Sequence, residues 1–458
     1  MIENIPQDGL VFEIANDVFN NSYRPIKVVS VCTALALMAG ICGRSHSIKG
    51  RGLNLWLLLL AGSGTGKNSI SESINRLLAH VQKSVPAAGD FVGAASYASP
   101  QALVRHLTNH PSVVSHYGEV GIFLQQLCSP RANENAKGLL RLMLDLFTNS
   151  GPNGVIRPTV YSDNTKNTTT IYRPAFSFIG DSTPSEFYKA FSEDQVKSGL
   201  IPRFTILEHS GDIPPANEFR YTNPRLIKGL DTLCAHTLQL NSQGFTQEVL
   251  LDPNAAKAFA DAEEFYLKTV NSDAPELTKL LWTRRIEKAY RIASLFAVGV
   301  NAYTPIINLE QARWALEVEF QSTTRLITAF ESGEVGEQAI SETAQQHKVR
   351  AVVKEWFTKP WAELQRYKVG SIAMQLHGIV PHSYISKRLT SDAAFKHAKN
   401  GATATIRRTI DELQTCGELR RISVADANVK FDSTATCYML TNYKDYLSEP
   451  ANHIPSFF

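Results

Sequence analysis

Residues 61–69 read Ala61-Gly62-Ser63-Gly64-Thr65-Gly66-Lys67-Asn68-Ser69. Alternating glycines let consecutive backbone N–H groups converge on an anion, and a lysine closing the loop adds a point charge. The chemistry this spacing serves is polyphosphate binding, with residues 62–69 around the phosphates and Lys67 reaching the outer two. Two positions depart from the usual pattern. Ala61 stands where the first glycine is expected, and Asn68 where a Mg²⁺-binding hydroxyl is expected. An Asn amide oxygen can coordinate Mg²⁺. Ser69 follows, but one step along a helix turns a side chain by about 100°.

A nucleotide site also needs acids. Residues 112–119 (Ser-Val-Val-Ser-His-Tyr-Gly-Glu) suit an apolar strand that delivers Glu119 as the water-orienting acid. Gly118 then occupies the place of a metal-binding aspartate. A second strand, residues 175–183, ends in Gly180-Asp181-Ser182-Thr183. Either it is itself the acid-bearing strand, or its polar end contacts the terminal phosphate or the attacking water. Both readings put Asp181 and Ser182 beside the nucleotide and make Asp181 a candidate catalytic acid and Mg²⁺ ligand. Farther on, Gly199-Leu200-Ile201-Pro202-Arg203-Phe204 places one arginine between a glycine turn and an apolar run. Arg203 is either an ordinary surface arginine or a group that stabilises transition-state charge in a neighbouring subunit.

These residues need a strand, a turn and a helix to position them. The run Leu55-Trp56-Leu57-Leu58-Leu59-Leu60 suits a strand buried on both faces. Ile70, Ile74, Leu77 and Leu78 recur at helical spacing just after the loop. Strand, glycine loop and helix in that order give the phosphate-loop motif its meaning. The expected fold is therefore an α/β P-loop core with helical additions and a C-terminal winged helix.

A chain of 458 residues exceeds one compact core. Composition shifts suggest a helical lead-in over 1–50, the ATPase core over 51–222, a helical subdomain over 223–345 and a winged-helix domain over 346–458. The net charge of +3 neither requires nor excludes nucleic acid, so a basic face must be found locally. Apolar stretches 28–42 and 55–61 are too short to cross a bilayer, and Glu3 and Asp8 do not make the basic start of a secretory signal. Six cysteines without metal-ligand spacing fit free thiols in a reducing cytoplasm rather than a zinc site.

Between the two acid-ended strands, residues 156–173 alternate Thr, Val, Ile and Tyr around Asp163-Asn164-Thr165-Lys166-Asn167, which reads as a hairpin. Lys166 at its tip is suited to DNA phosphates, and Tyr161 or Tyr172 to stacking on bases. Arg284, Arg285, Lys288 and Arg291 lie at near-helical repeats and read as a solvated basic face. In the last hundred residues, helices over 382–390 and 403–416 precede strands over 418–424 and 436–441 joined by a polar turn. That order is a winged helix, with Lys387, Arg388, Arg407, Arg408, Arg420 and Arg421 on a basic side that suits DNA phosphates, although such modules also serve to dock proteins.

Taken together, residues 25–44, 55–69, 117–121, 178–184, 199–204 and 284–298 resemble a P-loop family of unknown-function domain type from phages, plasmids and genomic islands. Its members often accompany primase–polymerase modules. The resemblance covers roughly residues 10–330. It implies a RecA-like or AAA+-like helicase core that binds ATP and Mg²⁺ and assembles as a hexameric ring on single-stranded DNA. The sequence has no evident primase or polymerase site, so a separate primase is an implied partner, and the winged helix is suited to double-stranded origin DNA or to anchoring the ring. The family pattern has Ser or Thr at position 68 and Asp at 118, so the resemblance implies nucleotide binding more firmly than rapid hydrolysis. Superfamily-three helicases carry a basic hairpin residue in the ring channel at the place of Lys166.

Overall fold

The computed structural model describes residues 4–129, 131–160, 162, 167–190, 196–272, 274–331, 342–396 and 401–441. The chain forms two compact units, one built on residues 1–326 and one on 327–456.

The first unit opens with α1 (Gly9–Asn21) and α2 (Lys27–Cys42), followed by the short strands β1 (His46–Ile48) and β2 (Arg51–Gly52). Next come β3 (Trp56–Ala61), α3 (Ser69–Val81), α4 (Pro100–Asn109), β4 (Ser112–Tyr117), α5 (Val120–Cys128) and α6 (Glu134–Thr148). A small antiparallel pair, β5 (Val155–Ile156) and β6 (Ile171–Tyr172), leads into β7 (Ala175–Ser182), α7 (Pro184–Ala190) and β8 (Phe204–His209). Helices α8 (Pro224–Ser242), α9 (Pro253–Val270), α10 (Glu276–Trp282), α11 (Arg285–Val300) and α12 (Leu309–Glu331) follow, with two-residue strands β9 (Gln247–Glu248), β10 (Leu250–Leu251) and β11 (Ile306–Ile307) among them.

The main sheet is parallel, in the order β4-β7-β3-β8. The leucine run of β3 is buried along its whole length because a parallel neighbour flanks each side and helices cover both faces. Period-two alternation separates those faces. Leu57, Leu59, Ile179 and Leu207 join the core formed with α2. Trp56, Phe178 and Phe204 take the other face, where the Trp56 ring centre lies 5.2 Å from that of Phe147 on α6.

α2 is the centre of this unit. Every residue from Val28 to Cys42 is buried, as an all-round apolar helix requires. It packs on α1, α3, α11 and all four sheet strands. At Gly40 the helix comes so close to β4 that an added Cβ would stand 2.8 Å from Val114 Cγ1. Among the described residues no helix is long and apolar enough to cross a membrane.

The basic residues of α11 are not a solvated face. Arg285 and Arg291 are fully buried and Lys288 nearly so. Arg291 donates to Asn54 O and Oδ1, both at 2.8 Å, and to Phe147 O at 3.1 Å, while Glu287 balances its charge at 2.6 Å. Lys288 Nζ meets Glu319 Oε2 at 2.8 Å and donates to Phe204 O at 2.6 Å. Buried cations need such partners, and α11 finds them on the sheet edge and on α12. Ser322 of α12 also accepts from Ile206 N at 2.8 Å, satisfying a donor of edge strand β8.

The second unit contains α13 (Glu342–Thr358), α14 (Trp361–Leu364), α15 (Ile372–Leu376), β12 (Ile379–Pro381), α16 (His382–Leu389), α17 (Ala393–Lys396), α18 (Ala402–Thr415), β13 (Leu419–Arg421), α19 (Val424–Phe431) and β14 (Cys437–Leu440). Its sheet is antiparallel in the order β12-β14-β13. Two features differ from expectation. A helix, α19, replaces the polar turn before the last strand, capped by Ser423 Oγ accepting from Asp426 N at 3.0 Å. A third strand, β12, precedes α16 and is fixed by the Trp356 indole, which donates to Ile379 O at 2.8 Å. Gly417 ends α18 at φ +76°, a conformation glycine adopts without strain.

Candidate functional site

The glycine loop leaves β3 after Ala61 and enters α3 at Ser69. It therefore lies at the carboxyl end of the parallel strands, where open α/β sheets bind ligands. Gly64 and Gly66 hold φ values of +77° and +75°, which a side chain would strain. Thr65 Oγ1 donates to Gly62 O at 2.7 Å and braces the turn. Gly62, Ser63 and Gly64 are exposed, so their backbone faces solvent rather than the core.

Lys67 Nζ stands 3.4 Å from Asp181 Oδ2, and both side chains are largely buried. β7 lies beside β3 with Leu59 opposite Asp181 and Leu60 opposite Ser182, so it delivers that acid directly to the loop. The other oxygen, Asp181 Oδ1, meets His116 Nε2 at 2.9 Å. His116 Nδ1 is in turn hydrogen-bonded to Ser71 Oγ on α3. Ser71, His116, Asp181 and Lys67 thus form one chain of polar contacts across α3, β4, β7 and the loop.

Two hydroxyls nearby have no partner among the described residues: Ser69 Oγ and Ser182 Oγ are buried and unpaired. Buried polar atoms are nearly always satisfied, so unpaired ones at such a place point to a polar ligand. Asn68, by contrast, is exposed, with helical backbone and no capping hydrogen bond from its side chain. Among the described residues no group of three or more His, Cys, Asp or Glu is placed to hold a metal ion. The available set is one carboxylate with hydroxyls, which suits an ion that keeps most of its waters, as Mg²⁺ does.

Glu119 lies just beyond β4 in the left-handed region, at φ +48°, with an exposed side chain. It takes no part in the Lys67–Asp181 cluster. A Cβ added at Gly118 would stand 3.8 Å from Asp181 Oδ1. Asp181 thus fills, from β7, space toward which a residue-118 carboxylate would extend from β4. His116 and Ser71 were not among the expected site residues. A signal existed for His116, a polar, titratable residue next to the carboxyl end of the strand read as acid-bearing.

Arg203 is at the other end of the sheet. β8 pairs with β3 so that Phe204 faces Trp56 while His209 faces Ala61. At about 3.3 Å per residue, this separates Arg203 from its own glycine loop by roughly 20 Å. Arg203 Nη1 donates to Gly199 O and Nη2 to Thr148 Oγ1 at 3.3 Å, and its Nε has no partner among the described residues. Burial, followed by the neighbouring charge of Arg284, lowers its pKa to about 10, so it remains a cation at neutral pH.

The hairpin before β7 is present at its base. Val155 pairs with Tyr172 and Ile156 with Ile171, and Thr159 N donates to Thr168 Oγ1 at 2.9 Å. Tyr172 is exposed. Tyr161 and Lys166 lie outside the described residues. In the second unit, Arg407 and Arg408 on α18 are both exposed, but differently engaged. Arg408 is tied to Gln345 Oε1 at 2.9 Å and Glu412 Oε1 at 3.4 Å. Arg388 is paired with Glu355, and Lys387 donates to Tyr367 O. The charges of Arg407 and Arg421 both act on His382, whose pKa is lowered first by burial and then by Arg407, with Asp411 opposing and Arg421 adding to the shift.

In comparisons with known proteins, the chain matches no protein-family model and no curated protein.

Proposed function

We propose that the protein is a P-loop ATPase that acts on DNA, with a RecA-like or AAA+-like core in the first unit and a winged-helix module in the second. The observation that carries this reading is the Lys67–Asp181 pair, held beside an exposed loop of positive-φ glycines at the carboxyl end of a parallel sheet. Loop N–H groups and the start of α3 bind the phosphates, and Lys67 exchanges part of its contact with Asp181 for the terminal ones. Asp181, Ser69 and Ser182 are the residues that fit Mg²⁺, with Asn68 at the loop's exposed edge. Mg²⁺ held there would supply positive charge to offset that of the phosphates. Asp181 and Glu119 are the candidate acids for orienting water, and His116 fixes the Asp181 carboxylate between β4 and β7.

In this reading the active form is a homo-oligomeric ring, in which Arg203 serves the neighbouring subunit's site. Lys166, in the segment that the sequence reads as a hairpin, is assigned to contact with single-stranded DNA. Arg407, together with Arg421 and Arg408, contacts duplex phosphates, and a separate primase partner follows from the resemblance. The setting is replication of a mobile genetic element.

A second reading is a nucleotide-gated loader or assembly switch with little turnover. The exposed Glu119 and the glycine at 118 favour it. ATP binding and ATP hydrolysis, measured separately with and without forked DNA for the natural protein and Lys67→Ala, test both. DNA-stimulated hydrolysis abolished by the substitution supports the motor. Tight binding without turnover supports the switch. Unaltered hydrolysis by Lys67→Ala refutes the phosphate-loop assignment.

A further inference from the structure

The glycine loop has two flanks. One is the Lys67–Asp181 side, where the sheet strands end. The other is built by two segments far apart in sequence: the turn between α1 and α2, and the irregular stretch after β8. A Cβ added at Gly66 would stand 2.9 Å from Arg24 Cβ and 3.4 Å from Arg24 O. One added at Gly64 would stand 3.7 Å from Ile213 Cδ1. The loop is thus bordered by Arg24 and Ile213.

These two segments are fastened to each other. Arg24 Nη1 donates to Pro214 O at 2.7 Å, next to Ile213. Asn217 N donates to Tyr23 O at 2.8 Å, and Asn217 Nδ2 to Asn20 O at 2.6 Å. Tyr221 N donates to Asn21 Oδ1 at 2.7 Å. A stretch with no helix or strand of its own is therefore held as a fixed wall. That wall nevertheless exposes large apolar groups: Tyr23 is 55% exposed and Ile213 51%. The Arg24 guanidinium carbon lies 5.0 Å from the Tyr23 ring centre, which keeps this aromatic next to the residue that touches the loop.

An exposed aromatic and an exposed aliphatic side chain, pinned beside a phosphate cradle on the flank away from the acid, match the needs of a flat heteroaromatic ring. We propose that Tyr23, Arg24 and Ile213 form the base-binding subsite of the nucleotide, taking a purine by stacking and apolar contact. This rests on the phosphate-cradle reading above. With the terminal phosphate toward Lys67 and Asp181, the rest of the nucleotide runs along the outer surface of this wall, past Tyr23 and Ile213. A purine covers more of this surface than a pyrimidine, so the subsite favours ATP and GTP over CTP and UTP.

The test compares ATP with inorganic tripolyphosphate, which has the phosphates and no base, by calorimetry on the full chain with Mg²⁺. Tyr23→Ala and Ile213→Ser alter exposed side chains and leave the core intact. Each is expected to weaken ATP at least about tenfold, as loss of a stacking partner does, and to leave tripolyphosphate unchanged. Tyr23→Phe keeps the ring and is expected to bind ATP normally. Unchanged ATP affinity in both variants overturns the subsite, as does an equal loss for ATP and tripolyphosphate. If the natural protein binds tripolyphosphate but gains nothing from the base, the subsite fails and the cradle stands. If it binds neither ligand, both fail.

Discussion

Trp56 of β3 faces Phe204 of β8, and this pairing carries Arg203 to the end of the sheet opposite Lys67. A residue so placed cannot reach its own glycine loop. If it takes part in hydrolysis at all, it does so across a subunit boundary. Arg203→Ala is therefore expected to retain ATP binding and lose turnover by about a thousandfold, within the range seen when such arginines are supplied or withheld. Mixing it with Lys67→Ala protein is expected to restore part of the activity, because some interfaces then combine an intact loop with an intact arginine. An absence of rescue in demonstrably mixed assemblies counts against action in trans.

The two candidate acids separate by location. Asp181 is in contact with Lys67 and His116, whereas Glu119 is exposed beyond β4. Asp181→Asn is expected to weaken Mg²⁺-dependent ATP binding and to lower hydrolysis about a hundredfold or more. Glu119→Gln is expected to leave binding intact and to slow only the chemical step, trapping ATP. Normal hydrolysis by Glu119→Gln beside an inactive Asp181→Asn would assign the acid to β7 alone.

Breaking the buried pair between Lys288 and Glu319 leaves a carboxylate without its cation. Lys288→Met is expected to cost about 3–5 kcal/mol in urea unfolding monitored by fluorescence. Adding Glu319→Gln is expected to recover part of that loss, since the stranded charge is then removed. A cost for Lys288→Met of less than about 1 kcal/mol, typical of an exposed pair, would contradict the burial seen here.

His46 is buried between Ser45 Oγ and Ala302 O, both at 2.9 Å. Burial, partly opposed by the Ala302 contact, lowers its pKa to about 4 from 6.5. Between those values the unfolded chain binds the proton and the folded chain does not. The resulting stability is fully present above pH 6.5 and is lost as pH falls toward 4. The contribution is on the order of 3 kcal/mol at most. Unfolding of the natural protein and His46→Gln, compared at pH 7 and pH 5, is expected to show a smaller pH loss for the variant. Identical losses would dissociate His46 from the effect.

What the sequence conveyed well was local. The strand, glycine loop and helix over 55–81 announce themselves by a leucine run, alternating glycines before Lys67 and helical spacing, and Gly417 marks the end of α18. What it concealed depends on distant partners. The basic residues of α11 have the spacing of a solvated face, and only Asn54, Phe147 and Glu319 reveal them as buried. The prominence of Asp181 over Glu119 follows from strand order, because β7 lies between β3 and β4, and strand order leaves no mark on local pattern. Arg24 and Ile213 carry no motif at all. Their importance comes from where two irregular segments meet the loop.

The burial of α2 bears on the order in which the chain can be made. Residues 28–42 are made well before α11, on which they pack and which ends only at Val300. A ribosome must therefore add the residues from 43 to 300 before this apolar helix can be fully enclosed, and until then it needs protection by a chaperone or by partial collapse. Synthesis stopped before residue 285 is expected to yield a protease-sensitive, aggregation-prone product. The first unit would then become protease-resistant as one cooperative event late in translation rather than in successive pieces.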